Sequence, residues 1–222
     1  MKRVFAIVLA GLALWSCKLE DPVFSITNLG DFLNVNGETL VNDYGMSLPV
    51  AEDDTDGNWK KDGARIYAQF DVLNVQYDIK LRTYYDVLVQ DPIAGTPSDS
   101  VERDPIESIN CDIRQGWFNA IFEFYYYPES GLVHTINLYH QEHSDTLDLF
   151  FSHIGNGENP SKTDPEKLKR STGICSFPVT GIVPAGQSRI VRLSVDALEK
   201  DDSGNYSVKT VTRSITGSQV VF

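Results

Sequence analysis

Four histidines, His134, His140, His143 and His153, fall within one stretch of 20 residues, and imidazole is the commonest side-chain ligand for a metal ion. His134, Ile136 and Leu138 share one face of an expected strand, and Leu147, Leu149, Phe151 and His153 share one face of the next. A hairpin turn centred on His143-Ser144 keeps both faces on the same side and sets His134 opposite His153. A structural zinc needs four ligands, and no cysteine or carboxylate of the hairpin completes the set on that face. The pair therefore reads as two half-buried, hydrogen-bonded histidines without metal, with His140 and His143 solvated near the turn.

Other reactive types fare no better. Glu52-Asp53-Asp54-Thr55-Asp56-Gly57 places acids at alternate positions and glycine at the sixth, as a calcium loop does. Its twelfth position is Gly63, where a bidentate glutamate is required, so an acidic turn is expected there. There is no Gly-x-Ser-x-Gly elbow, phosphate-binding glycine loop, His-Glu-x-x-His or Cys-x-x-Cys. Neither an enzyme nor a cofactor is expected.

Cys111 alternates with Ile109 and Ile113, and Cys175 with Phe177 and Val179, so both thiols are expected to point into a core. Two readings stand: small buried hydrophobes, or a disulfide closing a loop of about 64 residues and stabilising by a few kcal/mol. In the segment Trp117 to Tyr127, Phe118, Ala120, Phe122, Phe124 and Tyr126 form one face, and Trp117, Ile121, Tyr125 and Tyr127 the other. Left uncovered, the second face would make Trp117, Tyr125 and Tyr127 an aromatic platform for a partner or a sugar ring. Covered, it marks a central strand.

Location is written at the start of the chain. Lys2 and Arg3 precede an uninterrupted apolar run from Val4 to Trp15, too short for a permanent membrane span of about 20 residues. This reads as a cleaved signal over residues 1–16. Leu14-Trp15-Ser16-Cys17 resembles a lipobox, at which cleavage leaves Cys17 acylated as the first residue. Residues 17–22 would then be a lipidated tether, and Lys18-Leu19-Glu20-Asp21 is similar to the short charged tag that directs some lipoproteins to the outside of the outer membrane.

The chain carries 19 Lys and Arg against 31 Asp and Glu, a formal charge of −12, and signal removal makes it more acidic still. That balance repels phosphate backbones and anionic lipid, so nucleic acid is not an expected partner, and any membrane contact is through the lipid. What must hold the candidate residues in place is strand. Ile66, Ala68, Phe70 and Val72 alternate with polar neighbours, Tyr77, Ile79 and Leu81 repeat the pattern, and Asn74-Val75-Gln76 links them as a hairpin. Residues 93–105 hold two prolines, Pro97 and Pro105, and little apolar periodicity, which reads as a linker. Seven runs of strand length follow, the signature of a β-sandwich, with one helical turn at Asp164-Pro165-Glu166-Lys167-Leu168-Lys169. The expected fold is all-β: a module of antiparallel strands over 23–92, a linker over 93–105 and an antiparallel sandwich over 106–222.

This arrangement resembles the NigD-like lipoproteins. The likeness rests on the lipobox, on Tyr77-Asp78-Ile79-Lys80-Leu81 leading to Tyr85-Asp86-Val87-Leu88, on Trp117-Phe118-Asn119, and on His134-Thr135-Ile136-Asn137-Leu138. It implies an N-terminal OB-like barrel over 23–92, a C-terminal sandwich and a role like that of a bacteriocin immunity protein. No catalytic or binding residues come with it. The resulting expectation is a non-enzymatic outer-membrane lipoprotein that binds an envelope or secreted protein, with a carbohydrate-binding surface module as the rival reading.

Overall fold

The computed structural model describes residues 25–182, 188–215 and 220–221. The expected signal, Cys17 and the tether lie outside the described residues. Strands β1 (Ile26–Asn36), β2 (Thr39–Asn42), β3 (Ser47–Asp53), β4 (Arg65–Val72) and β5 (Ile79–Asp86) close a barrel in the order β1-β2-β3-β5-β4. Only the β3–β5 seam is parallel, the five-stranded Greek-key closure of an OB-like barrel. The alternation in β4 explains the closure: Ile66, Ala68, Phe70 and Val72 all point inward and are buried, against Leu33, Leu40, Leu48, Trp59, Ile79 and Leu81.

The remaining strands build a sandwich with its own core. They are β6 (Leu88–Val89), β7 (Ile93–Ala94), β8 (Ser108–Arg114), β9 (Trp117–Tyr126), β10 (Thr135–Glu142), β11 (Thr146–Ile154), β12 (Lys169–Pro178), β13 (Ser188–Lys200), β14 (Tyr206–Ser214) and β15 (Val220–Val221). One sheet runs β6-β12-β9-β8. The other runs β14-β13-β11-β10-β7, with β15 also on β13. Among the described residues the single helical element is a 3-10 turn at Pro165–Lys167, capped by the Asp164 carboxylate, which accepts the Glu166 N–H.

The stretch read as a linker is part of the sandwich. Ile93 and Ala94 pair with Tyr139 and His140, and Asp104, 1% exposed, accepts the N–H groups of Gly155 and Gly157 and the Asn159 amide. Composition misses this because a two-residue ladder has no periodicity, and a buried carboxylate is stable once donors converge on it. The hairpin of β10 and β11 is also shifted: His153 pairs with Ile136, and the turn centres on Ser144-Asp145. Both faces keep their side, since a two-residue slip preserves parity.

Packing at the sandwich centre is tight enough to test. A Cβ on Gly173 would sit 2.2 Å from the Phe122 ring, which itself packs on Phe124 and Phe151. Gly173→Ala is expected to destabilise by about 1–3 kcal/mol through overpacking, read as a lower urea midpoint at unchanged slope. An unchanged midpoint would mean that the ring swings aside freely.

The disulfide reading is overturned. Cys111 and Cys175 each pair with Ala120, from opposite sides of β9, so they stand two strand spacings, about 10 Å, apart. That exceeds the roughly 7 Å that a bridge can span between Cα atoms, and both thiols are free. Burial, aided by Asp112, pushes the Cys111 thiol up to about 11, and burial with Cys111 nearby pushes Cys175 up to about 12. Neither is a thiolate at neutral pH.

Candidate functional site

The two domains meet on Arg65, the first residue of β4. Its side chain is 2% exposed. Nε donates to Ser176 Oγ at 2.9 Å, Nη1 to Asn34 Oδ1 at 3.0 Å, and Nη2 to Asn119 Oδ1 at 2.8 Å and Asp43 Oδ2 at 2.9 Å. The guanidinium carbon Cζ lies 4.3 Å from the centre of the Trp117 ring, a cation–π contact. Beside it Arg114 of the sandwich reaches Asp31 of the barrel at 2.6 Å and Asp112 at 2.9 Å. Burial draws the Arg65 guanidinium below its ordinary value while the Asp43 charge opposes the shift; it remains a cation.

This junction decides the fate of the aromatic platform. Trp117 is occupied by Arg65. Tyr125 sits across from Arg170 on β12, and Tyr127 bonds Glu129. Eight residues of strand, about 26 Å, separate Trp117 from Tyr125. The three residues do not form one surface, because their strand is central and its outer face is shared with the barrel at one end.

A set of charged residues on the barrel is mutually satisfied as well. Lys80 contacts Glu52 and Asp54, Arg82 contacts Asp54 and Asp71, and the Tyr84 hydroxyl donates to Asp56. In the acidic turn the Asp53 carboxylate accepts from Thr55 and from Trp59 Nε1. The turn's acids are thus engaged by protein cations and donors.

At the far end of the sandwich the two histidines do meet. His134 Nδ1 lies 2.8 Å from His153 Nε2, and His134 Nε2 lies 3.0 Å from Glu158 Oε2. Against the opposing pull of burial, hydrogen bonds from Ser130, the Tyr127 N–H and His134 hold Glu158 below its ordinary value. Both nitrogens of His134 are therefore committed, and neither is aimed at a shared ion. Glu158 was invisible to the hairpin argument because it comes from the loop after β11. His143 lies nearer solvent and reaches Asp148 at 3.3 Å.

One side of the sandwich stays open. β8 ends one sheet and β14 ends the other, and between them lies a groove of about 370 Å³. Its apolar lining comes from both inner faces: Ile109 and Cys111 on β8, Leu193 and Val195 on β13, and Val211 and Ile215 at β14. Among the described residues each bounding strand has one backbone edge without a partner strand, a template for an incoming strand. Nothing in the sequence marks this groove, since its residues read as ordinary core positions.

Comparison with curated protein sequences finds no match. Among solved structures, a NigD-like immunity protein from Bacteroides caccae is 16% identical with a TM-score of 0.59, the alignment covering 83% of this chain and 93% of that one. A protein of unknown function from Bacteroides vulgatus is 19% identical with a TM-score of 0.60, over 90% of this chain and 96% of that one. These likenesses establish the fold. The family model for the NigD-like C-terminal β-sandwich domain matches residues 90–210, more than half of the chain, and the protein belongs to that NigD-like family.

Proposed function

We propose that the protein is a lipid-anchored envelope protein, held through Cys17 at the outer membrane and facing outward, that works by contact with another protein and makes or breaks no covalent bond. The observation that carries this reading is the open groove between β8 and β14. An extended segment of a partner can add to an unpaired edge through main-chain hydrogen bonds and seat alternate side chains on the apolar floor. The fold shared with a protein described as NigD-like immunity protein supports an immunity form of that contact. The net charge of −12 and the pairing of Lys80 and Arg82 with acids favour a protein over nucleic acid.

The test is protection. A deletion strain is challenged with the secreted fractions of competing strains and complemented with wild type, Ile109→Lys or Cys17→Ser. Wild type is expected to restore growth. Ile109→Lys, which puts a charge at the groove, is expected to fail at equal expression. Cys17→Ser is expected to lose both fatty-acid labelling and protection. A deletion strain no more sensitive than its parent would overturn the immunity role, undiminished protection by Ile109→Lys would overturn the groove, and fatty-acid label retained by Cys17→Ser would overturn the anchor.

A further inference from the structure

The outer face of the larger sheet carries a second concavity, which shares Val195 with the groove and none of the junction residues. A cavity of about 210 Å³ lies between that face and the segment 96–103. Its sheet wall follows from register. Phe150 stands between Tyr139 on β10 and Ser194 on β13, and Ser194 pairs with Thr212 on β14. A half-buried aromatic ring is thus flanked by hydroxyls on a face that strand alternation otherwise gives to solvent.

The polar groups converge from three elements. Arg103 Nε donates to Asp196 Oδ2 at 2.7 Å, and Thr210 Oγ1 donates to Asp196 Oδ1 at 2.6 Å. Ser194 and Thr212 hydroxyls lie 2.8 Å apart. The Arg103 side chain is 28% exposed and that of Asp196 14%, so each is fixed by its partner and keeps capacity facing the cavity. Asp99 and Pro97 complete the opposite wall. The Arg103–Asp196 pair neutralises itself, and Asp99 leaves the lining with one net negative charge.

We infer that this pocket binds one neutral pyranose ring, laid on Phe150 and hydrogen-bonded by Arg103, Asp196 and the Ser194 hydroxyl. The C–H face of a sugar is electropositive and complements the negative face of an aromatic ring, while a fixed cation–carboxylate pair offers the donor and acceptor that vicinal hydroxyls require. The size selects a single ring, since sites for larger ligands span about 300–1,000 Å³. The charge of the lining selects against uronic acids and phosphorylated or sulfated sugars.

Saturation-transfer NMR tests this on the protein solubilised in a sugar-free detergent. The probes are the methyl pyranosides of glucose, galactose, mannose and N-acetylglucosamine, with methyl glucuronide as the charged counterpart. At least one neutral probe is expected to receive transfer at its ring protons. Phe150→Leu, which keeps apolar volume and removes the π face, is expected to weaken binding about tenfold, and Ser194→Ala to weaken it without altering the fold. No transfer to any neutral probe, equal binding by Phe150→Leu, or equal binding of the glucuronide would overturn the assignment.

Discussion

Arg65→Met is expected to lower the stability of the folded protein by about 3–5 kcal/mol, the cost of leaving a buried ion without its partner. Asp43, whose side chain is fully buried, would lose the guanidinium that it faces. Ser176 Oγ and Asn34 Oδ1 would each lose a donor, and the Trp117 ring would lose its cation. Methionine fills much of the volume, so the loss reports charge and hydrogen bonding and little of it reports a cavity. The double variant Arg65→Met/Asp43→Leu removes both charges and is expected to recover part of the loss, because a buried pair replaced as a whole by apolar groups is often near neutral. Denaturant titration of the four proteins in a double-mutant cycle measures the coupling. A single-variant loss below about 1 kcal/mol would show that solvent already reaches the junction. A split into two unfolding transitions would show that Arg65 also makes barrel and sandwich unfold together.

How far the chain could be read in advance depends on the range over which each feature is encoded. The alternation of Ile66, Ala68, Phe70 and Val72 is local, and the structure buries all four. The even face of Trp117 to Tyr126 is local too, and Phe118, Ala120 and Phe122 lie in the sandwich core. The domain junction is encoded at long range: Arg65 meets partners at 34, 43, 119 and 176, and no spacing rule links a lone arginine at a strand's first residue to those positions. The histidine pair falls between the two cases. Parity alone set His134 and His153 on the same side, but turn placement fixed the register, and the Glu158 that completes the chain of contacts comes from a loop. Asp104 and the strand at Ile93–Ala94 lay in a segment whose composition signals only the lack of periodicity.

The open groove and the sugar-sized pocket share a cause that sequence does not display. Inner-face residues of β8 and β14 are patterned like any core residue, and whether they are covered depends on which strand ends each sheet. Phe150 is patterned as a solvent-facing position, and its flanking groups come from a loop and two other strands. Both features are properties of sheet order, which is set when distant segments pair.

His153 gives the second large effect, which is a dependence on acid. It is 2% exposed, packed against Phe122 and Phe124, and stacked on His134. Because the Glu158 carboxylate accepts from His134 Nε2–H, a neutral His134 presents its Nδ1 lone pair, and His153 donates to it from Nε2–H. His153 Nδ1 is left buried without a hydrogen-bond partner among the described residues. Burial first, and the neighbouring His134 charge second, push His153 down from 6.5 to about 4, against a smaller opposing effect of Asp104. The unfolded chain therefore takes up a proton at a higher pH than the folded one. Stability is present in full above pH 6.5 and is lost as the pH falls towards 4, by about 3 kcal/mol for a shift of this size. Urea titrations at pH 7.5, 5.5 and 4.0 measure it, and His153→Gln, which keeps an N–H donor towards His134 and cannot titrate, is expected to flatten the profile across that window. Parallel losses in wild type and His153→Gln would assign the acid sensitivity to the other histidines and the carboxylates. A flattened profile would identify the His134–His153–Glu158 cluster as the element through which acid loosens the far end of the sandwich.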